Sequence, residues 1–262
     1  VAAGGGDMTT INASILGPFG DAIEFIFQER ESGAGTVNVG GLAEMGHLAG
    51  NHFAVSVVAL LIAIAVSMPI GLWLGHLGRA ELLAVGIANV GRAVPALAII
   101  AFFVAFLGTG FRNIAFALTL LAIPPILTNT YVAMRQVDPE LVDAARGQGL
   151  SELQIVRKVE LPLALPTIFG GIRISAVTVL ATAIIAPAAG LDTLGTPILS
   201  SEVYGEAGQI AAAIVVAVLT LLTDAAFALV QRLVTPTGLK VAAGGGRPPR
   251  SWPIPIRRVQ TP

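Results

Sequence analysis

The chain contains no cysteine, which excludes disulfides, thiolate nucleophiles and cysteine metal sites. Charge is scarce as well. Only 12% of residues are Asp, Glu, Lys or Arg, where a soluble domain carries about 25%. A formal net charge of −1 leaves no electrostatic case for nucleic acid, which is bound through clustered cations. The three histidines His47, His52 and His76 form no HExxH-type ligand pair. No G-x-x-x-x-G-K-[ST] phosphate loop is present either, since Gly244-Gly245-Gly246-Arg247 lacks the required frame. What the chain has in abundance is apolar surface: 55% of its residues are hydrophobic and its mean hydropathy is +0.82. That balance places it in the lipid bilayer.

A membrane-spanning helix needs about 20 apolar residues at a rise of about 1.5 Å each. Five stretches of the sequence meet or approach this: 52–74, 83–107, 114–134, 168–189 and 210–233. Arg92 and Pro95 interrupt the second, so its span proper is expected to begin near Val94, with the earlier part in the interface. The stretch 11–28 is apolar but carries Asp21 and Glu24, which reads as an interfacial helix. No Lys or Arg precedes it, unlike a signal peptide. The domain expectation is therefore an extracytoplasmic N-terminal segment with an interfacial helix over 1–50 and a transmembrane domain over 51–235. A disordered, basic, Gly- and Pro-rich tail over 236–262 would follow. No internal repeat of an inverted-topology carrier is visible.

Five spans place the termini on opposite sides, and the basic residues choose the orientation. With the polar segment 137–165 in the cytoplasm, all 15 Lys and Arg residues except Arg30 and Arg112 fall in segments assigned to the cytoplasmic side, Arg173 among them. The reverse orientation would put them all outside, against the positive-inside rule. The N-terminus is thus expected outside and the C-terminus in the cytoplasm.

The segment 137–165 has its own helix grammar. Asp138 is a good N-cap, Pro139 suits the first helical position, and Glu140 complements the positive helix end. Leu141, Val142, Ala144 and Ala145 supply a small apolar face, and Gly147 and Gly149 offer a turn. Ser151 and Gln154 have capping-box spacing for a second short helix. That helix is expected to end near Glu160, because Pro162 disfavours helix at Leu161. From these residues alone, an amphipathic loop lying on the membrane and a knob gripped by another protein fit equally well.

A resemblance separates the two. Asp143-Ala144-Ala145, Gly149 and Leu161-Pro162 resemble the signature of ABC-importer permeases, a Glu-Ala-Ala and a Gly followed by Leu-Pro. The stretch from Asp143 to Pro166, the segment Ser56 to Gly71 and the run Ile123-Pro124-Pro125-Ile126-Leu127-Thr128-Asn129-Thr130-Tyr131 are most similar to the glycine betaine/carnitine/choline permeases. The likeness covers about residues 52 to 233. It implies an all-α integral membrane protein of the methionine-importer-type fold with five transmembrane helices, in a bacterial plasma membrane. It also implies a docking element at Asp143, Ala144, Ala145, Gly149, Leu161 and Pro162 for ATP-binding cassette subunits, which carry the ATP and magnesium, so that this chain itself holds no cofactor and does no bond chemistry. The further implied partners are a second permease subunit, an extracytoplasmic solute-binding protein and membrane lipid. The cargo would be a quaternary amine. Another small solute, such as an amino acid or an alkyl-sulfonate, is the alternative within the class, and a channel or carrier is the alternative outside it. Two positions depart from the pattern. Asp143 stands where the family has Glu, and residues 187–195 match only loosely a family stretch of Gly-Ala-Gly-Gly-Leu-Gly.

A quaternary ammonium is ordinarily held in an aromatic cage. Trp73, Trp252, Tyr131, Tyr204 and the eleven Phe show no spacing that makes one, so affinity is assigned to the external binding protein. Asp224 is the one acidic residue deep in a span. A charge there belongs toward the bundle interior or a wet path, with Thr223 and Tyr131 as further path candidates. The bland alternative is a packing contact to a hydroxyl.

Overall fold

The computed structural model describes residues 8–35, 37–78, 86 and 94–235. The proposed basic tail and the interfacial approach to the second span, Arg92 included, lie outside the described residues. Helix α1 spans Met8–Phe27. A two-stranded antiparallel ribbon follows, β1 Glu29–Glu31 and β2 Asn38–Gly40, with Arg30 opposite Val39. The ribbon is a small addition to the all-α fold. Its strands are three residues long and mostly polar, too short to carry an alternating pattern.

Helix α2, Gly41–Leu77, is about 55 Å long at the helical rise. It runs eleven residues beyond the start expected for its span, because Gly40 and Glu44 build its N-terminus: the Gly40 N–H donates to Glu44 Oε2 at 2.6 Å, and Glu44 Oε1 accepts from the Tyr204 hydroxyl at 2.7 Å. Helix α3 covers Ala96–Leu107 and begins at Pro95, whose fixed φ suits a helix start. Helix α4, Phe111–Arg135, tolerates Pro124 and Pro125 in its interior. Helices α5 (Pro139–Gly147) and α6 (Glu152–Ile155) form the polar insert. A π-helical turn at Val156–Glu160 joins them to α7, Leu161–Thr182, which tightens into a 3₁₀ helix at Ala183–Ala189. Helix α8 (Gly195–Leu199) and helix α9 (Ser201–Val234), kinked at Gly205, complete the order.

Among the described residues, four helical stretches are long and apolar enough to cross a membrane: Gly41–Leu77, Phe111–Arg135, Glu152–Ala189 and Ser201–Val234. Helix α3 supplies the fifth apolar helix at only 12 residues, about 18 Å of rise. Among the described residues the expected five-span plan is thus represented by four full rods and one short helix.

Two clusters make the core. The larger joins α2, α4, α7 and the 3₁₀ segment through Val55, Ala63, Ile114, Leu118, Ile126 and Ile168. The smaller joins α1, β2, the start of α2 and the N-terminal half of α9 through Phe25, Met45, Leu48 and Ala211. Helix α1 therefore has a protein-facing side as well as an apolar exposed one, where Phe19, Ile23 and Phe27 lie. Small residues set the helix spacing. A Cβ on Gly75 would lie 2.5 Å from the Met134 Cβ on α4, and a Cβ on Gly171 would lie 2.5 Å from the Asn129 Cβ on the same helix. Buried His52 ties α2 to α7 through Nε2, 2.9 Å from the Leu180 carbonyl.

Candidate functional site: the polar insert and its roots

Residues 137–165 fold as a knob on the end of α4 and α7. The Asp138 side chain accepts the Glu140 N–H at 2.9 Å, the N-cap expected of Asp-Pro-Glu. The far end of α5 closes with the Gly149 N–H bonded to the Arg146 carbonyl and the Leu150 N–H to the Ala145 carbonyl. This paired closure needs a left-handed residue. Gly149 provides it at φ 84°, with open space where a Cβ would go. The next turn opens with the capping box: Ser151 N donates to Gln154 Oε1 at 2.9 Å.

The second helix does not end near Glu160. Leu161 is helical, its N–H bonds the Val156 carbonyl five residues back, and the rod runs unbroken from Glu152 to Ala189. The expected break fails for a physical reason. Proline lacks the N–H that an α-turn would use, and a π-turn slips the hydrogen-bond register beside it. The missing donor is absorbed as a change of register, and the insert is rigidly continuous with a membrane-crossing helix.

The expected docking residues divide. Asp143, Ala144 and Gly149 are exposed on the insert, beside exposed Leu141 and Leu153. Ala145 is buried beneath them. Leu161 and Pro162 are partly buried at the root, in the first turn of α7. Asp143 is not an isolated carboxylate: Arg146 Nη1 donates to its Oδ1 at 2.9 Å. The same guanidinium clamps Glu152, with Nε to Oε1 at 3.0 Å and Nη2 to Oε2 at 3.1 Å. The forked geometry matches guanidinium to carboxylate. It holds the Glu152 carboxyl below the ordinary carboxylate range, the Arg146 hydrogen bonds being the largest cause. Because the folded value is depressed, this contribution is present above the ordinary value of about 4.3 and fades as pH falls through the lower folded value.

Sequence reading missed the residue at the centre of this network. His76, in the last turn of α2, has Nε2 at 3.1 Å from Glu152 Oε2 and Nδ1 at 2.7 Å from Glu160 Oε2. Its side chain and that of Glu160 are both about 5% exposed or less. A continuous polar line therefore runs from exposed Asp143 through Arg146, Glu152 and His76 to buried Glu160. It connects the insert surface to the ends of two membrane-crossing helices. The only available signal was an acidic pair eight residues apart and a distant histidine, which no local pattern connects.

The path candidates are not brought together. Tyr131 is buried in α4. Thr223 spends its hydroxyl on the Leu219 carbonyl at 2.8 Å and faces an apolar cleft of about 350 Å³ between α2, α7 and α9. Asp224 points elsewhere, and its partner is no hydroxyl but Arg173. The Arg173 Nη2 donates to Oδ2 at 2.6 Å, and Nε donates to Oδ1. Arg173 lies within α7, among helical residues and not in a connecting segment.

Comparisons with known proteins agree on one kind of molecule. The family described as binding-protein-dependent transport system inner membrane component matches residues 67–236. The carnitine transport permease of Listeria monocytogenes is 35% identical over 74% of this chain and 90% of its own length. The glycine betaine/carnitine/choline transport system permease of Bacillus subtilis is 33% identical over 75% of this chain and 91% of its own. Among solved structures, the inward-facing MetNI methionine ABC transporter aligns over 74% of this chain and 98% of that chain with a TM-score of 0.65, at 23% sequence identity.

Proposed function

The chain belongs to the family of binding-protein-dependent transport system inner membrane components, and from that premise we propose that it is the permease subunit of an ATP-driven importer for quaternary-amine compatible solutes such as glycine betaine, carnitine or choline. The cargo class rests on relatives that carry those names. ATP and magnesium would be bound by separate cassette subunits. A second permease subunit would complete the passage, and an extracytoplasmic binding protein would deliver the solute. The positive-inside distribution supports a cytoplasmic insert and C-terminus with the N-terminus outside.

One observation carries the coupling role. The exposed Asp143, Ala144 and Gly149 surface is locked by Arg146 and Glu152 onto His76, and so onto α2, while the rod from Glu152 to Ala189 is continuous. A push on such a knob is transmitted to two membrane-crossing helices at once. Closure of a cassette dimer around the insert would tilt both and exchange inward for outward access. The departure of Asp143 from the family's Glu suits this geometry, since the shorter carboxylate reaches Arg146 one turn on. The test is co-purification of the chain with its cassette and binding proteins, followed by uptake and stimulated ATPase assays on glycine betaine, carnitine, choline and methionine. Uptake of the quaternary amines with binding-protein dependence is expected. Uptake of methionine alone would move the chain to another cargo class.

A further inference from the structure

Helices α7 and α9 present two unlike sides. On one, Ala176, Leu180, Ala226 and Phe227 line the apolar cleft. On the other, Arg173, Asp224, Thr178 and Gln231 line a cavity of about 510 Å³. A neighbouring cavity of about 310 Å³ reaches Thr182, Pro124 and Pro125, and Ile174 and Thr178 border both. They form one groove along α7, in which Ile174 and Thr178 are exposed one helical turn apart.

The Arg173 and Asp224 side chains are 37% and 33% exposed. Arg173 lies five residues inside the apolar stretch 168–189, and Asp224 lies in the interior of the apolar stretch 210–233. A half-exposed ion pair at that depth is costly against lipid and belongs to a wet passage. The apolar cleft on the opposite side has no such conflict with lipid tails.

We propose that this groove is the permease's own transient site for a zwitterionic solute, with Arg173 receiving the carboxylate and Asp224 the fixed cation. The inference rests on the importer reading above and adds the site and the charge form of the cargo. The pair uses Arg173 Nε and Nη2, which leaves the Nη1 donors for a carboxylate. A quaternary ammonium donates no hydrogen bonds and needs only a nearby negative charge, which Asp224 supplies. Among the described residues no aromatic ring lines this cavity, so none supplies the cation–π attraction that gives tight quaternary-ammonium sites. Weak, fast-releasing binding follows, as a passage requires.

The cysteine-free chain makes the test direct. Thr178→Cys gives the permease a single thiol on the groove, and Leu61→Cys places one on the apolar cleft as a control. The complete importer in proteoliposomes is treated with a positively charged, membrane-impermeant thiol reagent, read as a mass shift of the permease chain. The Thr178→Cys protein is expected to react and the Leu61→Cys protein to stay unmodified. Glycine betaine or carnitine, whichever the wild type takes up, is titrated beyond the concentration that saturates uptake, and at about ten times the concentration that half-protects the thiol it should slow the reaction about tenfold. Swapping the pair, as Arg173→Asp with Asp224→Arg, keeps an ion pair for folding and should abolish that protection. A Thr178→Cys thiol that is unreactive, or reactive but unprotected, overturns the site, as does protection that survives the swap. A wild type that imports choline but neither zwitterion overturns the assigned charge form. A wild type that imports no solute of the panel overturns the importer reading instead.

Discussion

His76 faces one carboxylate that is half exposed and one that is buried, and the two belong to opposite ends of the insert's root. Replacing it by leucine leaves Glu160 buried without this partner, a loss of about 2 kcal/mol for a hydrogen bond to a charged group. His76→Leu is therefore expected to lower the melting temperature of the purified importer by a few degrees. It should also raise ATP hydrolysed per solute imported, because the insert then loses its tie to α2. An unchanged ratio would show that His76 does no more than fill space. Gly149 makes a sharper case. Its φ of 84° strains any β-branched residue by about 1–3 kcal/mol, and the surface around it is open. Gly149→Val should misplace the end of α5 and abolish uptake while membrane insertion, followed by fractionation, stays normal. Ala144→Glu, at an exposed position, should have the same effect by blocking the docking face, with cassette binding lost in a pull-down.

At the scale of elements, the π-turn at Val156–Glu160 sets the angle between the insert and α7. Pro162→Ala restores an N–H and removes the reason for the register slip. The relaxed helix would rotate the insert by about 100° about the rod, one residue of an α-helix. Uptake should fall at least tenfold with the protein still inserted and folded, whereas Leu161→Met should be nearly silent. The crossing of α4 and α7 depends on Gly171, whose Cβ would collide with Asn129. Gly171→Leu is expected to destabilise the fold by about 1–3 kcal/mol or more through overpacking, read as loss of the monodisperse peak in detergent.

For the whole molecule, exposed apolar side chains cover α2, α3 and α9, including Trp73, Phe102, Phe106, Leu221 and Leu233. Only 6% of the most apolar window of α9 is buried within the chain, which leaves that surface for lipid and for the second permease of the proposed importer. Cross-linking in membranes should therefore trap a permease pair through α3 or α9, and not through α4, whose window is 56% buried by its own neighbours. A monomer under all conditions would contradict a paired passage.

The class of this protein was written in composition and local pattern. Scarce charge, long apolar stretches and the Asp143-to-Pro162 spacing are local properties, and caps such as Asp138 and the Ser151–Gln154 box act within one turn. What no local pattern contains is which distant charges meet. His76 and Glu160 lie 84 residues apart, and Arg173 and Asp224 lie 51 apart. Pro162 predicts a helix end near Glu160, whereas the chain slips register there and continues to Ala189. Folding the rods side by side turned two apparently unrelated charges into a pair on the wall of a cavity, since an unpaired charge within a membrane costs more than either helix could offset alone.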